Sequence, residues 1–361
     1  MGLYYVKIGH CDESPCYITI FGGMNLEDIN AVAKLLSEPQ KIVIIPHKNP
    51  DGDAIGSTLA LWHYLKNRGQ NAQIIVPNDF PKFLKWMPGQ DEIMNFEKEN
   101  SQSKALINEA TIIFTLDFNH LGRIAQMEPV LIRSDATFVM IDHHQAPADY
   151  AQYMYSDVLM SSTCEMVYNF IEFLGDEDKI TPEMAICLYT GIMTDTGSFK
   201  YSSTTSRTHR VVANLIDKGA ENTKAHNLVF DTNTPNRLHL LGCALKNMVI
   251  LEEYNTAYIT LSQDELDTYG FQKGDTEGFV NYGLTLHGIR FAVIFIENRE
   301  EGIIKISFRS EGEFSVNEFA RKHFNGGGHT NAAGGRSDIP LKETAEYFVS
   351  LLKEYKTQLN P

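Results

Sequence analysis

Eight side chains able to offer lone pairs to a cation fall at the ends of apolar runs. His47, Asp51 and Asp53 follow KIVIIPH (41–47), Asp117 closes TIIFTLDF (111–118), Asp142, His143 and His144 close TFVMIDHH (137–144), and Asp195 lies in GIMTDTGSFKYS behind an apolar helical stretch. Taken singly, each has a structural reading, since Asp-Gly-Asp is a turn sequence and an aspartate at a strand end commonly caps the next helix. Recurring at the ends of successive elements, they read otherwise. So many carboxylates cannot stay ionised side by side without cations between them. Mixed oxygen and nitrogen donors suit a hard-to-borderline divalent ion, Mn²⁺ first, with Mg²⁺, Co²⁺ or Zn²⁺ as competitors. Two such ions share and deprotonate a water and hold nonbridging phosphate oxygens as charge develops, with Asp117 the natural bridge. The chemistry expected is hydrolysis of phosphate esters.

The elements that must position these groups are short β-branched runs at 41–47, 73–77, 111–118 and 137–144, alternating with helical stretches such as AIGSTLALWHYLKNRG, which ends on Gly69. That alternation predicts a parallel sheet covered by helices, whose ligands converge beyond the carboxyl ends of the strands. Helices expected at 164–175, 182–194 and 206–218 extend this part to residue 220, and a helical connector follows over 221–247. The pattern then changes to strands at 256–261, 288–297 and 302–310, the last two forming a hairpin across NREEG, with helices SVNEFARKHF and LKETAEYFVSLLKEY beyond. The expected fold class is therefore α/β, a parallel-sheet domain joined by a helical connector to a smaller α+β domain. The divisions are 1–23 as an N-terminal extension, 24–220, 221–247 and 248–361.

In the second domain, Arg309 offers a planar fork for two phosphate oxygens, and Ser307 and Ser310 could add hydroxyl donors. GGGHTNAAGG (326–335) has a composition poor for a strand or helix interior. Its backbone N–H groups at Gly327 and Gly328 are expected to cradle an anion beside His329, with NAAGG opening a helix toward it. Thr276, Glu277, Gly278 and Asn281 are candidates to line the same place, whereas His63 and His120 read as packing or surface residues.

Composition excludes several classes. A net charge of −15 from 31 basic and 46 acidic residues leaves no basic footprint for a long duplex, so an anionic substrate must be captured locally. Five scattered cysteines do not form a disulfide framework, and no apolar run approaches about 18 residues. A cytoplasmic protein with no membrane partner is expected. A metal on His10, Cys11 and Cys16 lacks a second ligand pair, and Met24 is an alternative start.

HKNPDGDAIGS (47–57), TLDFNHLGR (115–123), IDHH (141–144), TGIMTDTGSF (190–199), SFRS (307–310) and GGGHTNAAGG, in that order, resemble the DHH/DHHA1 phosphoesterases, over roughly residues 25–355. That family includes RecJ-type nucleases and stand-alone oligoribonucleases that also act on adenosine 3′,5′-bisphosphate. The resemblance implies one metal on His47, Asp51 and Asp117 and another on Asp53, Asp117, His143 and Asp195. It also implies that His144 faces the substrate phosphate with Asp142 behind it, and that Arg309, Ser307, Ser310, Gly327, Gly328 and His329 bind substrate in a domain that closes over the metals. The expected partners are short single-stranded RNA or small phosphorylated nucleotides, and a second copy of the chain, since family members dimerise. Alternatives are a linear or cyclic dinucleotide phosphodiesterase, an inorganic pyrophosphatase or exopolyphosphatase, and an RNA-binding protein without turnover; every ligand position is filled, which argues against the last.

Overall fold

The computed structural model describes residues 4–11, 14–20 and 26–360, with side chains from residue 28 onward. The side chains of His10, Cys11 and Cys16, and residue Met24, lie outside what is described. The chain divides into two compact units, Met1–Thr232 and Asn233–Pro361, a division that falls within the stretch expected to connect two domains.

The first unit begins with an antiparallel hairpin, β1 (Tyr4–Cys11) and β2 (Ser14–Ile20), then α1 (Leu26–Leu35), β3 (Lys41–Pro46), α2 (Gly52–Asn67), β4 (Asn71–Val76), β5 (Ile93–Asn95), α3 (Asn100–Glu109) and β6 (Ile112–Leu116). It continues with α4 (Glu128–Leu131), β7 (Thr137–Asp142), β8 (Tyr153–Ser156), α5 (Thr163–Phe173), α6 (Pro182–Asp195), α7 (Ser206–Asp217) and α8 (Asn222–Phe230). Strands β3 to β8 form one parallel sheet in the order β5-β4-β3-β6-β7-β8. Alternate residues of each strand enter different cores. Ile42, Ile44, Phe114 and Ile141 pack with the apolar side chains of α2, α5 and α6, while Val43, Ile45, Ile113 and Met140 pack with those of α3 and α4. Burial on both faces is why these strands read as continuous apolar runs rather than alternating ones. The chain winds outward from β3 through β4 to β5, returns, and winds the other way through β6, β7 and β8, so the strand order reverses between β3 and β6. Open parallel sheets bind ligands at that switch point.

The second unit comprises α9 (Pro235–Lys246), β9 (Val249–Leu251), β10 (Thr256–Leu261), α10 (Gln263–Thr268), α11 (Asn281–Leu284), β11 (Phe291–Asn298), β12 (Ile303–Ser310), α12 (Val316–His323), β13 (Gly327–Gly328), β14 (Ala332–Ser337) and α13 (Leu341–Leu359). Its sheet runs β13-β14-β12-β11-β10-β9, antiparallel except for β10 with β11. The β11–β12 hairpin forms where expected. Phe291, Phe308, Phe319 and Phe348 tie one face to α12 and α13, and Ile259, Ile294, Leu240 and Phe279 build a smaller core on the other.

One expectation is corrected. GGGHTNAAGG is a hairpin, two strands joined by residues 329–331, and opens no helix: Gly327 pairs with Gly334, Gly328 with Ala333, and β14 pairs along β12. The small residues serve close packing, since a Cβ at Gly326 would lie 2.0 Å from the Gly334 carbonyl oxygen, and one at Gly335 3.0 Å from both the Phe308 ring and the Phe324 Cβ. Among the described residues no helix is long and apolar enough to cross a membrane.

Candidate metal centre and substrate face

Of the eight metal-ligand candidates in the first unit, all but Asp51 and Asp195 are nearly inaccessible: Asp53 is 1% exposed, Asp117 2% and Asp142 0%. Asp51 caps α2, its Oδ1 accepting the N–H groups of Asp53 and Ala54 at 3.1 Å each, which leaves Oδ2 toward His47 Nε2 at 3.8 Å. The capping and ligand readings of this residue are thus compatible. Asp117, one residue past β6, has φ of 65°, a left-handed conformation that aspartate tolerates better than most residues. Its N–H is fixed to the Ile141 carbonyl at 3.1 Å. Its carboxylate faces both ways, with Oδ2 3.4 Å from His47 Nε2 and Oδ1 3.5 Å from His143 Nε2. His143 Nε2 also lies 3.8 Å from Asp53 Oδ2 and 3.5 Å from Asp195 Oδ2.

In each of these two histidines the other ring nitrogen is committed to a backbone carbonyl, His47 Nδ1 to Lys48 at 2.8 Å and His143 Nδ1 to Met160 at 3.2 Å. A ring nitrogen held that way sets the tautomer and aims Nε2 at the centre, the usual outer support of a metal-binding histidine. The electrostatics point the same way. Burial alone would push His47 down, but its hydrogen bond to Asp117 and the charges of Asp51 and Asp117 raise it to about 9. His143 is likewise raised against the effect of burial, by Asp117, Asp195 and Asp53. Burial, then Asp117 and Asp195, push the Asp53 carboxyl well above its ordinary range. Asp117 is held well below it, despite burial, by hydrogen bonds from His143 and His47 and by the neighbouring imidazoles. The bare cluster therefore attracts protons wherever it can. Cations would satisfy the same field without them, and two donor groups lie close enough to share an ion each: His47, Asp51 and Asp117, and Asp53, His143 and Asp195. These residues fit a pair of divalent ions.

His144 is held differently. Its Nδ1 sits 2.7 Å from Asp142 Oδ1, and its backbone N–H donates to Asp142 Oδ2 at 3.1 Å. The fully buried Asp142 thus fixes the ring through Nδ1, with Nε2 on its far side.

In the second unit, Ser307 and Arg309 share one face of β12, whereas the nearly buried Ser310 points to the other. The Ser310 hydroxyl donates to the Phe314 carbonyl at 2.6 Å and accepts from Asn331 at 2.9 Å, so it anchors a turn and is not free to meet a phosphate. The N–H groups of Gly326, Gly328 and His329 are spent on Ala320, Asn317 and Ala332. Of the two donors expected to cradle an anion, the Gly328 N–H is therefore taken by the Asn317 side chain of α12. Of the other residues expected to meet an anion here, Arg309 and Ser307 lie on one strand face and the His329 ring is half-buried. His63, read as a packing residue, contacts the Pro88 carbonyl at 3.0 Å.

The DHH family, N-terminal domain, matches residues 41–192, and the DHHA1 domain matches residues 255–358. The bifunctional oligoribonuclease and PAP phosphatase NrnA of Thermus thermophilus is 30% identical over 334 residues, covering 92% of this chain and 95% of that protein. The chain belongs to the DHH family. It is a phosphoesterase of that family, whose enzymes depend on divalent metals. The NrnA of Bacillus subtilis is 29% identical over 294 residues, 81% of this chain and 88% of that one. A crystal structure of an exopolyphosphatase-related protein from Bacteroides fragilis superposes with a TM-score of 0.91 at 39% identity, covering 95% of this chain and all of that one.

Reading the DHH unit by sequence motifs misses its supports. Asp53 lies on the N-terminus of α5, its two oxygens accepting the N–H groups of Thr163 at 2.6 Å and Cys164 at 2.8 Å, while the Thr163 hydroxyl donates to Asp117 at 3.0 Å. A negative group is favoured there by unpaired donors and the helix dipole. Ser162 and Glu165 show the cap in the sequence, but not the aspartate, 110 residues away, that sits on it. Asn78 clamps the HKNPDGD loop, accepting the Asn49 N–H and donating to its side-chain oxygen, both at 2.7 Å. Gly191 lets α6 approach Asp53 and Cys164.

Proposed function

We propose that this DHH phosphoesterase hydrolyses short single-stranded RNA to mononucleotides and adenosine 3′,5′-bisphosphate to AMP, with Mn²⁺ as the ion. The observation that carries the reading is the carboxylate of Asp117, one oxygen toward His47 and the other toward His143, supported by the activities that give the Thermus and Bacillus relatives their names. His47, Asp51 and Asp117 would hold one ion, and Asp53, Asp117, His143 and Asp195 the other. When bound, the ions supply Lewis acidity at the phosphate and lower the pKa of a water.

The chain's own residues do the rest. Asp142 holds the His144 ring so that Nε2 can hydrogen-bond a phosphate oxygen or pass a proton to the departing oxygen. Lys48 and Met160 carbonyls keep the two ligand rings from turning, and Thr163 steadies the bridging carboxylate. Arg309 and Ser307 would bind a phosphate of the substrate, with His329 beside them, and Gly327 and Gly328 leave room there. Free thiols at Cys164, Cys187 and Cys243 support a reducing, cytoplasmic setting.

The test is turnover by metal-stripped protein, restored with Mn²⁺, on a dinucleotide, a pentanucleotide, a long RNA, adenosine 3′,5′-bisphosphate and pyrophosphate. Metal-dependent loss of the short RNAs and the bisphosphate is expected. Cleavage of pyrophosphate alone would overturn the substrate assignment.

A further inference from the structure

The face of β12 that carries Arg309 extends further than one phosphate. Ile304, Ile306 and Phe308 point into the core under α12 and α13, so the intervening Lys305, Ser307 and Arg309 share the opposite face. Pairing with β14 sets Arg309 opposite Ala332, Ser307 opposite Gly334 and Lys305 opposite Arg336, and Gly334 in turn lies opposite Gly327. Directly opposed residues stand on one face with Cβ atoms about 4.5–5.5 Å apart. The result is three rows: a cation at one end, a floor of Ser307 and Gly334 without bulk, and two cations at the other end.

Like charges directly opposed across a sheet destabilise it, so the Lys305–Arg336 pair is anomalous as structure alone. It is also barely neutralised. Lys305 meets Glu301 at 2.5 Å, both about half exposed, a contact of little strength in water. Arg336 is exposed and, among the described residues, neither it nor Arg309 has a carboxylate within ion-pair distance. In a chain of net charge −15 such a stretch is not a sample of the general surface. Two residues along a strand advance about 6.5 Å, so the rows of Arg309 and of Lys305 with Arg336 stand roughly 13 Å apart. That separation is the size spanned by two nucleotide steps of an extended strand, and the glycine floor between leaves space for the sugar-phosphate chain.

We propose that this face is a phosphate ladder: Arg309 takes one phosphate of a single-stranded oligonucleotide, and Lys305 with Arg336 takes another two positions along. The inference rests on the short-RNA reading and adds a length dependence to it. A dinucleotide or adenosine 3′,5′-bisphosphate engages the Arg309 row only, and a pentanucleotide engages both. Contacts to phosphate carry no base preference.

The experiment compares the full chain with its Lys305→Gln/Arg336→Gln variant in Mn²⁺, measuring kcat/KM for the dinucleotide, the pentanucleotide and the bisphosphate across a salt series. The variant is expected to lose roughly ten-fold on the pentanucleotide through KM, with kcat unchanged. Its slope of log kcat/KM against log salt should become shallower by about 0.7, for the one phosphate that Lys305 and Arg336 share on a single strand. The dinucleotide and the bisphosphate should be unaffected. Equal pentanucleotide kinetics in the two proteins, or an equal loss on all three substrates, would overturn the ladder while leaving the short-RNA reading intact. A wild type that cleaves the bisphosphate and no RNA would remove that reading, and the ladder with it.

Discussion

Gly191→Ala should destabilise the DHH unit although alanine is the better helix former. An added Cβ would stand 2.1 Å from Cys164 Sγ and 3.1 Å from Asp53 Oδ1. The sulfur already packs close against Gly56 of α2, where an added Cβ would be 2.9 Å from it. Overpacking of this kind costs about 1–3 kcal/mol, and the contact is close enough to place it at the upper end. The helix propensity of alanine returns about 1 kcal/mol. A net loss of about 2 kcal/mol corresponds to a fall of roughly 4–8 °C in Tm for a unit of this size. Because Cys164 also supplies an N–H to Asp53, the same strain should weaken Mn²⁺ binding. Cys164→Ala removes the sulfur and costs about 1 kcal/mol alone. Combined with Gly191→Ala it should recover both Tm and metal affinity, giving a coupling of at least about 1 kcal/mol in a double-mutant cycle. Thermal melts of the metal-free proteins and calorimetric Mn²⁺ titrations read both effects. Additive single and double variants, or a Gly191→Ala protein as stable as the wild type, would refute the packing argument.

Asp117→Ala should abolish turnover and the binding of both ions, read by metal analysis after gel filtration; an active variant removes the bridge. Asn78→Ala should leave the fold intact but weaken metal binding about 10- to 100-fold, the usual effect of losing an outer support, and an unchanged titration would show the Asn49 clamp to be idle. Arg309→Ala should raise KM without lowering Tm, whereas Ser310→Ala should lower stability by about 1 kcal/mol without changing KM; the reverse pattern would mean that the two faces of β12 have been misread. Asp176 accepts from Tyr64 at 2.8 Å, Arg68 at 2.7 Å and Lys179 at 2.5 Å. Burial would raise its carboxyl, but Lys179, Tyr64 and Arg68 together hold it below the ordinary range. A depressed folded value gives stability that is complete above the unfolded carboxylate pKa, about 3.9, and is lost as pH falls through the folded value. Asp176→Asn should therefore be less stable than the wild type at pH 7 by about 2 kcal/mol, with the gap closing below about pH 4; a gap independent of pH would exclude the charge as its source.

How much was legible in the sequence follows from how local each signal is. The parallel strands β3, β4, β6 and β7 announce themselves because burial on both faces writes them as unbroken Val, Ile and Phe runs. β5, β8 and β9 are three or four residues long and carry no period to find. In GGGHTNAAGG composition argued against a strand, and tertiary packing overruled it: Gly335 runs against Phe308 and Phe324, where a side chain would collide. Ser310 shows the same limit at one residue. Its type suggested a phosphate ligand, but a period of two puts it opposite to Arg309, and its hydroxyl is consumed by Phe314.

The cluster of carboxylates and imidazoles was more legible than the surroundings of Arg309 for a physical reason. Ligands of a metal must be of a few types, and in a parallel sheet they must lie just past strand ends, so type and position both constrain the reading. The topology then adds what no motif states, that β3 and β6 flank the point where the winding reverses, which is why His47 and Asp117 meet. What local sequence withholds is conformation. Asp117 has a left-handed backbone, and its carboxylate lies between two histidines, where the proposed bridge needs it. Asparagine, which tolerates the same backbone, could keep the turn while removing the charge, whereas alanine would lose both. The aspartate thus meets two demands at one position, a charge for the ions and a side chain at ease with positive φ.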